Sequence, residues 1–138
     1  RVLEKHNMCM DLAAKPVKGD WNGSGCHINY STSLMRETNG IYHINKAISK
    51  LSDKHHLHIK HYGDDNRERL TGNHETSSVD NFTSSVAGRN TSIRIPTDTH
   101  HNKCGYFEDR RPSSSLDPYK ATALLHATSV GITQTYWE

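Results

Sequence analysis

Ile41, Ile44, Ala47, Ile48 and Leu51 recur at spacings of three and four, and that stripe constrains the fold more than any other feature. It predicts one helix from about Gly40 to Ser52 with a single face to bury. Little is available to bury it. Leu, Ile, Val and Phe make up 24 of the 138 residues, about 17%, below the rough 20% under which disorder is suspected. Disorder also requires a large net charge, and here Lys and Arg exceed Asp and Glu by only two, alongside glycine-rich knots, two Trp and six Tyr. The composition therefore reads as one folded, core-poor domain. A sparse core implies partners elsewhere, and a chain beginning with Arg1 rather than Met is expected to be a piece of something longer.

The other compositional signals exclude more than they assign. Cys9, Cys26 and Cys104 are odd in number and lack CxxC spacing, so neither a disulfide framework nor a zinc ribbon is indicated. They read as reduced thiols in a cytosol-like compartment. Sequons at Asn22, Asn29, Asn81 and Asn90 are of the kind that a Ser/Thr/Asn-rich chain produces by chance. No segment approaches the roughly 18 consecutive apolar residues of a membrane span, and no signal-peptide core is visible. A targeting peptide upstream of Arg1 stays open.

Around the helix the elements are shorter. "MCMDLAAKPVKGDWNGSGCHINYS" has short apolar runs broken by Lys-Pro and three glycines, which predicts two strands joined by a tight loop. "KHHLHIKHYG" predicts a second, more polar helix ending near Gly63, where glycine can take a left-handed cap. A long irregular region follows, then short strands at "TSIRIP" and "GYFED", and a closing helix in "LDPYKATALLHATS" with Pro118 in its first turn. Antiparallel-looking strands with segregated helices favour an α+β fold.

Three groups of residues carry chemistry. In "GDWNGSGCHINYS" the glycines let a backbone approach a ligand while Asn22 and His27 offer an amide and an imidazole; a tight hairpin with a surface histidine is the plainer alternative. Arg67, Arg69, Arg89, Arg94, Arg110 and Arg111 lie between residues 67 and 111, in stretches that contain Gly, Ser, Thr and Asp. Guanidinium groups converging from loops suit a carboxylate or phosphate ligand. Surface pairing with Asp64, Asp65, Glu68 and Asp109 is the competing reading, whereas near-zero net charge and the lack of a basic stripe argue against nucleic acid. His55, His58 and His61 stand three apart, which can align metal ligands on a helix, but Lys54 and Lys60 flank them and a solvated face is the reading adopted.

Taken in order, "KPVKGDWNGSGCHINYST", "RERLTGNHET", "AGRNTSIRIP" and "GYFEDRRPSSSLDPY" resemble successive active-site segments of the eukaryotic-type glutamine synthetases. The resemblance covers nearly the whole chain, weakening over residues 1–12 and after about His126. It implies the carboxy-terminal half of a catalytic domain, with an antiparallel-rich sheet lining the active site and helices packed outside. It also implies a reaction in which ATP phosphorylates glutamate and ammonia displaces the phosphate. On this resemblance Asn22, Gly23, Arg69 and Arg110 bind glutamate. Arg89 and Arg94 serve the ATP phosphates and the transferring group, and Glu75 closes over the acyl phosphate as a catalytic flap residue. Asn29, Ser31, Tyr106, Phe107 and Glu108 belong with the nucleotide, and His27 and Glu108 with a Mg²⁺ or Mn²⁺ ion. A cytoplasmic ring oligomer with active sites between subunits is implied, together with an upstream β-grasp domain and further metal-binding glutamates.

The sequence also departs from the family pattern. Glu68 stands where a second arginine is expected, Gly88 where Asn is usual, and Ile28 where Thr is usual, a change expected to loosen the hydrogen bonding beside His27. Two rivals remain open at this stage: a non-catalytic protein reusing the fold, and a related ligase joining glutamate to another amine.

Overall fold

The computed structural model describes residues 1–133. The apolar stripe forms α2 (Ile41–Asp53), which buries Ile44, Ala47, Ile48 and Leu51. Gly40 precedes it because a side chain there would run into the Met35 carbonyl; Met35 lies in the short α1 (Ser33–Arg36). The closing helix α6 (Pro118–Val130) is bounded as its residues dictate. Asp117 accepts hydrogen bonds from the Tyr119 and Lys120 amides, Pro118 occupies the first turn, and Gly131 takes the left-handed cap at φ 87°. α2 packs on α6, and the Lys50 ammonium reaches the Ser129 carbonyl at 3.2 Å.

The sheet has four three-residue strands in the order β1 (Ile28–Tyr30), β4 (Phe107–Asp109), β3 (Ile93–Ile95), β2 (Ser84–Val86). β1 and β3 run antiparallel to β4, and β2 runs parallel to β3, so the α+β expectation holds with a mixed sheet. The pleat sorts the side chains. Ile93, Ile95 and Phe107, with the partly buried Ile28 and Tyr30, join Met35, Leu125 and the α2 stripe in the core. The cross-strand row Asn29, Glu108, Arg94, Ser85 occupies the opposite face.

Two expectations are corrected. Of the two strands expected between Met8 and Ser31 only β1 forms; the residues before Ile28 have a 3₁₀ turn at Glu4–His6 and an isolated bridge from Gly25 to Ser113. The segment is held by single bonds such as Ser24 N–H to Ala14 O at 2.9 Å, since its glycines and Lys-Pro break every apolar run. The histidine helix α3 (His55–His61) is not a solvated face: His55 and His58 are buried. His58 Nδ1 lies 2.6 Å from the Tyr62 hydroxyl, and its Nε2 2.9 Å from Thr128 Oγ1. The Tyr62 hydroxyl donates to Asp109 Oδ2 at 2.8 Å. Asp109 also takes two bonds from the Arg111 guanidinium, at 2.9 and 2.7 Å. Arg111 meets His55 Nδ1 at 3.2 Å, and His55 Nε2 sits 2.9 Å from the Val79 carbonyl. Lysines flank the run in sequence, but the i,i+3 pair turns inward because this buried acid and base require polar partners.

Candidate functional site

Glu108 is the centre of the polar face. On either side of it in β4, Phe107 and Asp109 point into the core and are fully buried, so alternation aims Glu108 at the other side. Its Oε1 lies 3.1 Å from His27 Nδ1, and its Oε2 lies 2.6 Å from Arg94 Nε and 3.3 Å from Arg110 Nη1. Arg110 also donates from Nε to the Arg89 carbonyl and from Nη2 to the Glu75 carbonyl, both at 3.2 Å. Arg89 pairs with the Glu75 carboxylate at 2.9 Å. Two acids and one imidazole thus meet three arginines beside a cleft of about 180 Å³ lined by Asn22, Gly23, Gly25, His27, Arg69, His74, Glu75, Thr76 and Arg110. Roomier hollows lie beside Trp21 and between Lys50 and Ile132, but neither gathers convergent charged groups of this kind.

The protonation states follow from burial and charge. Burial, then the Arg110 charge, hold the His27 imidazole below its ordinary value, against the opposing pull of Glu108. The ring is therefore neutral near pH 7. The hydrogen bond and charge of Arg89 hold the exposed Glu75 carboxyl below the usual carboxylate range, so it is ionised. Arg69 is buried, and burial followed by repulsion from Arg110 lowers it to about 10.

Arg69 sits on α4 (Asn66–Arg69). Its Nη2 donates to the carbonyls of Arg110, Arg111 and Pro112 at 3.1, 2.7 and 3.1 Å, and its Nε to Asn66 Oδ1 at 3.2 Å. Gly23 lies against its aliphatic stem, where any Cβ would collide. The other sequence-derived residues divide. Asn29 sits on the polar row opposite Glu108, and Tyr106 is 41% exposed at its edge. Ser31 accepts a bond from Arg36 at 2.7 Å. The Phe107 ring is fully buried against Tyr30, centroids 5.4 Å apart, because the pleat that turns Glu108 to the polar face must turn its neighbour to the core.

No protein-family model matches the chain. It is 53% identical over 131 residues to the glutamine synthetase of Kluyveromyces lactis, covering 95% of this chain and 35% of that protein. It is 53% identical over 130 residues to the chloroplastic glutamine synthetase of Oryza sativa subsp. japonica, covering 94% and 30%. The Saccharomyces cerevisiae glutamine synthetase is 51% identical over 131 residues, covering 95% and 35%. The chain belongs to the glutamine synthetase family. It spans about a third of the length of the curated relatives it matches.

The departures from the glutamine synthetase pattern now have physical readings. Ile28 lies in β1 and packs against the core, so an apolar residue suits the position and no loop is loosened. Glu68 pairs with Lys18. A side chain at Gly88 would require the Ser85 hydroxyl and the Thr91 methyl to shift. Of the competing salt bridges, Asp109 does pair with an arginine, but inside the core. Cleft-lining residues that the sequence reading missed are His74 and Thr76, and Asp20 meets His74 at 2.7 Å. His74 and Thr76 lie within the quoted "GNHET", either side of Glu75, and Asp20 begins "DWNG".

A divalent ion is implied by the family, and the donors can be tested against it. Octahedral ligands about 2.1 Å from an ion lie about 3 Å apart, which the 3.1 Å between His27 Nδ1 and Glu108 Oε1 fits. Among the described residues no group of three or more His, Cys, Asp or Glu converges, so these two supply part of a coordination shell.

Proposed function

We propose that the full-length protein ligates ammonia to glutamate at the expense of ATP, and that this chain contributes the carboxy-terminal part of its catalytic domain. The observation that carries the proposal is the linked cluster of Arg94, Arg110, His27 and Glu108 with Arg89 and Glu75, beside a cleft that His27, Glu75 and Arg110 line. Two anionic reactants must be brought together, and fixed guanidinium groups offset their repulsion in a preorganised way. Arg110 and Arg69 receive the carboxylates of glutamate, beside Asn22 and Gly23. Arg89 and Arg94 receive the phosphates, and Asn29, Ser31 and Tyr106 flank the nucleotide. His27 and Glu108 hold Mg²⁺ or Mn²⁺, which neutralises phosphate charge when bound.

In the reaction, a side-chain carboxylate oxygen of glutamate attacks the terminal phosphorus of ATP and ADP leaves, giving γ-glutamyl phosphate. The ammonia nitrogen then attacks the acyl carbon, the C–O bond to phosphate breaks, and a proton passes to the ionised Glu75 carboxylate. Glu75, at the mouth of the cleft, keeps water from the acyl phosphate. Among the described residues no helix is long and apolar enough to cross a membrane. We assign the full-length protein to the cytoplasm as a ring-shaped homo-oligomer, its site completed by upstream segments and a neighbouring subunit. The test is ATP-dependent glutamine formation from glutamate and ammonia with Mg²⁺ or Mn²⁺, by the full-length protein and by residues 1–138 alone. Activity only in the full-length protein is expected; a silent full-length protein would overturn the proposal.

A further inference from the structure

The turn that carries Glu75 is strained. Both His74 and Glu75 have left-handed backbone, φ 52° and 59°, where side chains other than glycine, Asn, Asp and His are disfavoured, so the cost falls mainly on Glu75. Two such residues in succession persist only where the surroundings over-determine them. Some of that determination is local: Thr76 Oγ1 donates to the Asn73 carbonyl at 2.7 Å and to the Arg69 carbonyl at 3.2 Å. The rest comes from the Lys18–Asp20 loop beside the cleft. His74 Nε2 lies 2.7 Å from Asp20 Oδ1, and Lys18 pairs with Glu68. These two contacts join the same pair of segments, the loop leading to Asn22 and Gly23 and the stretch from α4 to Glu75; both segments contribute to the cleft, and the contacts themselves line a neighbouring hollow.

We propose that the Asp20–His74 contact, backed by Lys18–Glu68, is a strap that holds the Glu75 turn at the cleft, making Asp20 and His74 positioning residues. The contact's exposure favours a geometric role over a stabilising one. The Asp20 side chain is 98% exposed, and pairs so open to water add little to folding stability. What the strap does fix is the backbone of a residue whose carboxylate and carbonyl meet Arg89 and Arg110. Released at His74, the turn can relax from its left-handed conformation and carry Glu75 away from the mouth. The inference rests on the proposed ligase reaction, in which an open mouth admits water to the acyl phosphate.

The test compares full-length protein with its Asp20→Ala and His74→Asn variants. Asn tolerates the left-handed backbone but is too short to keep the contact, so it removes the strap without adding strain. Both variants are expected to release phosphate in excess of glutamine, raising that ratio about twofold or more, and the double variant should match the singles because one contact is lost in all three. Asp20→Asn, which keeps the acceptor oxygen, should restore the parent ratio. A merely structural role would lower phosphate and glutamine together with the ratio unchanged, and that result would overturn the strap. Hydrogen exchange of the 72–76 amides tests it independently of catalysis. Faster exchange in both variants is expected, and unchanged exchange refutes the strap even if the parent makes no glutamine, an outcome that would sink the ligase reading separately.

Discussion

Arg110 sends each of its three nitrogens to a different part of the cleft: Nε to Arg89, Nη2 to Glu75 and Nη1 to Glu108. A lysine ammonium is one point charge on a flexible stem and cannot span those acceptors. Arg110→Lys should therefore lower kcat of the full-length enzyme about ten- to a hundredfold, the worth of one charge-assisted pair, and near-parental kinetics would remove Arg110 from the site. Tyr62 is the matching case inside the core. Its hydroxyl stands between His58 and Asp109, so Tyr62→Phe leaves two buried polar groups short of a partner and should cost about 1–3 kcal/mol in denaturant unfolding. The residue types at both places were legible as arginines and histidines set among loop formers and helix residues. Which arginine faces the cleft was not legible from composition. Arg110 and Arg111 are adjacent, and only the alternation out of β4 sends one to the cleft and the other to Asp109.

At the scale of elements, legibility followed length. α2 and α6 each run for 13 residues, enough for a 3.6-residue period and end caps to declare themselves. The strands have three residues each, too few for alternation to stand out, and β2, α1, α4 and the short α5 (Thr97–Asn102) gave no signal at all. α3 was legible as a helix but its burial was not, because the partners that draw His55 and His58 inward lie some fifty residues away in β4 and beyond. That burial has a pH consequence. Desolvation, with the Arg111 charge adding to it, lowers His58 from 6.5 to about 3, and His55 is lowered by the same first cause. The unfolded chain therefore takes up these protons first as pH falls. The stability that neutral His58 supplies is complete above about pH 6.5 and is lost as pH drops toward 3, at about 1.4 kcal/mol per pH unit for each such site. Urea midpoints of the full-length protein should fall steadily below pH 6.5. His58→Phe should flatten that dependence, and an unchanged slope would contradict the burial of a neutral ring.

For the molecule as a whole, the outward face of the first residues is the feature that composition foreshadowed. Val2, Met8, Met10, Leu12, Val17 and Trp21 are more than half exposed, apolar area that a sparse core leaves uncovered. Residues 1–138 alone are therefore expected to be marginally stable, to bind ATP weakly and to form no glutamine. Supplying the preceding catalytic segment should raise their thermal midpoint, and no change would contradict the need for that cover. The central claim is that the arginine-lined cleft serves phosphoryl transfer to a carboxylate. It is tested most directly by giving the full-length protein glutamate whose side-chain carboxylate carries a heavy-oxygen label, with ATP and ammonia. Transfer of one labelled oxygen from glutamate to the released phosphate is the expected result, since that oxygen forms the new bond to phosphorus and leaves with it. Glutamine formed with unlabelled phosphate, or phosphate released with no glutamine at all, would contradict the claim.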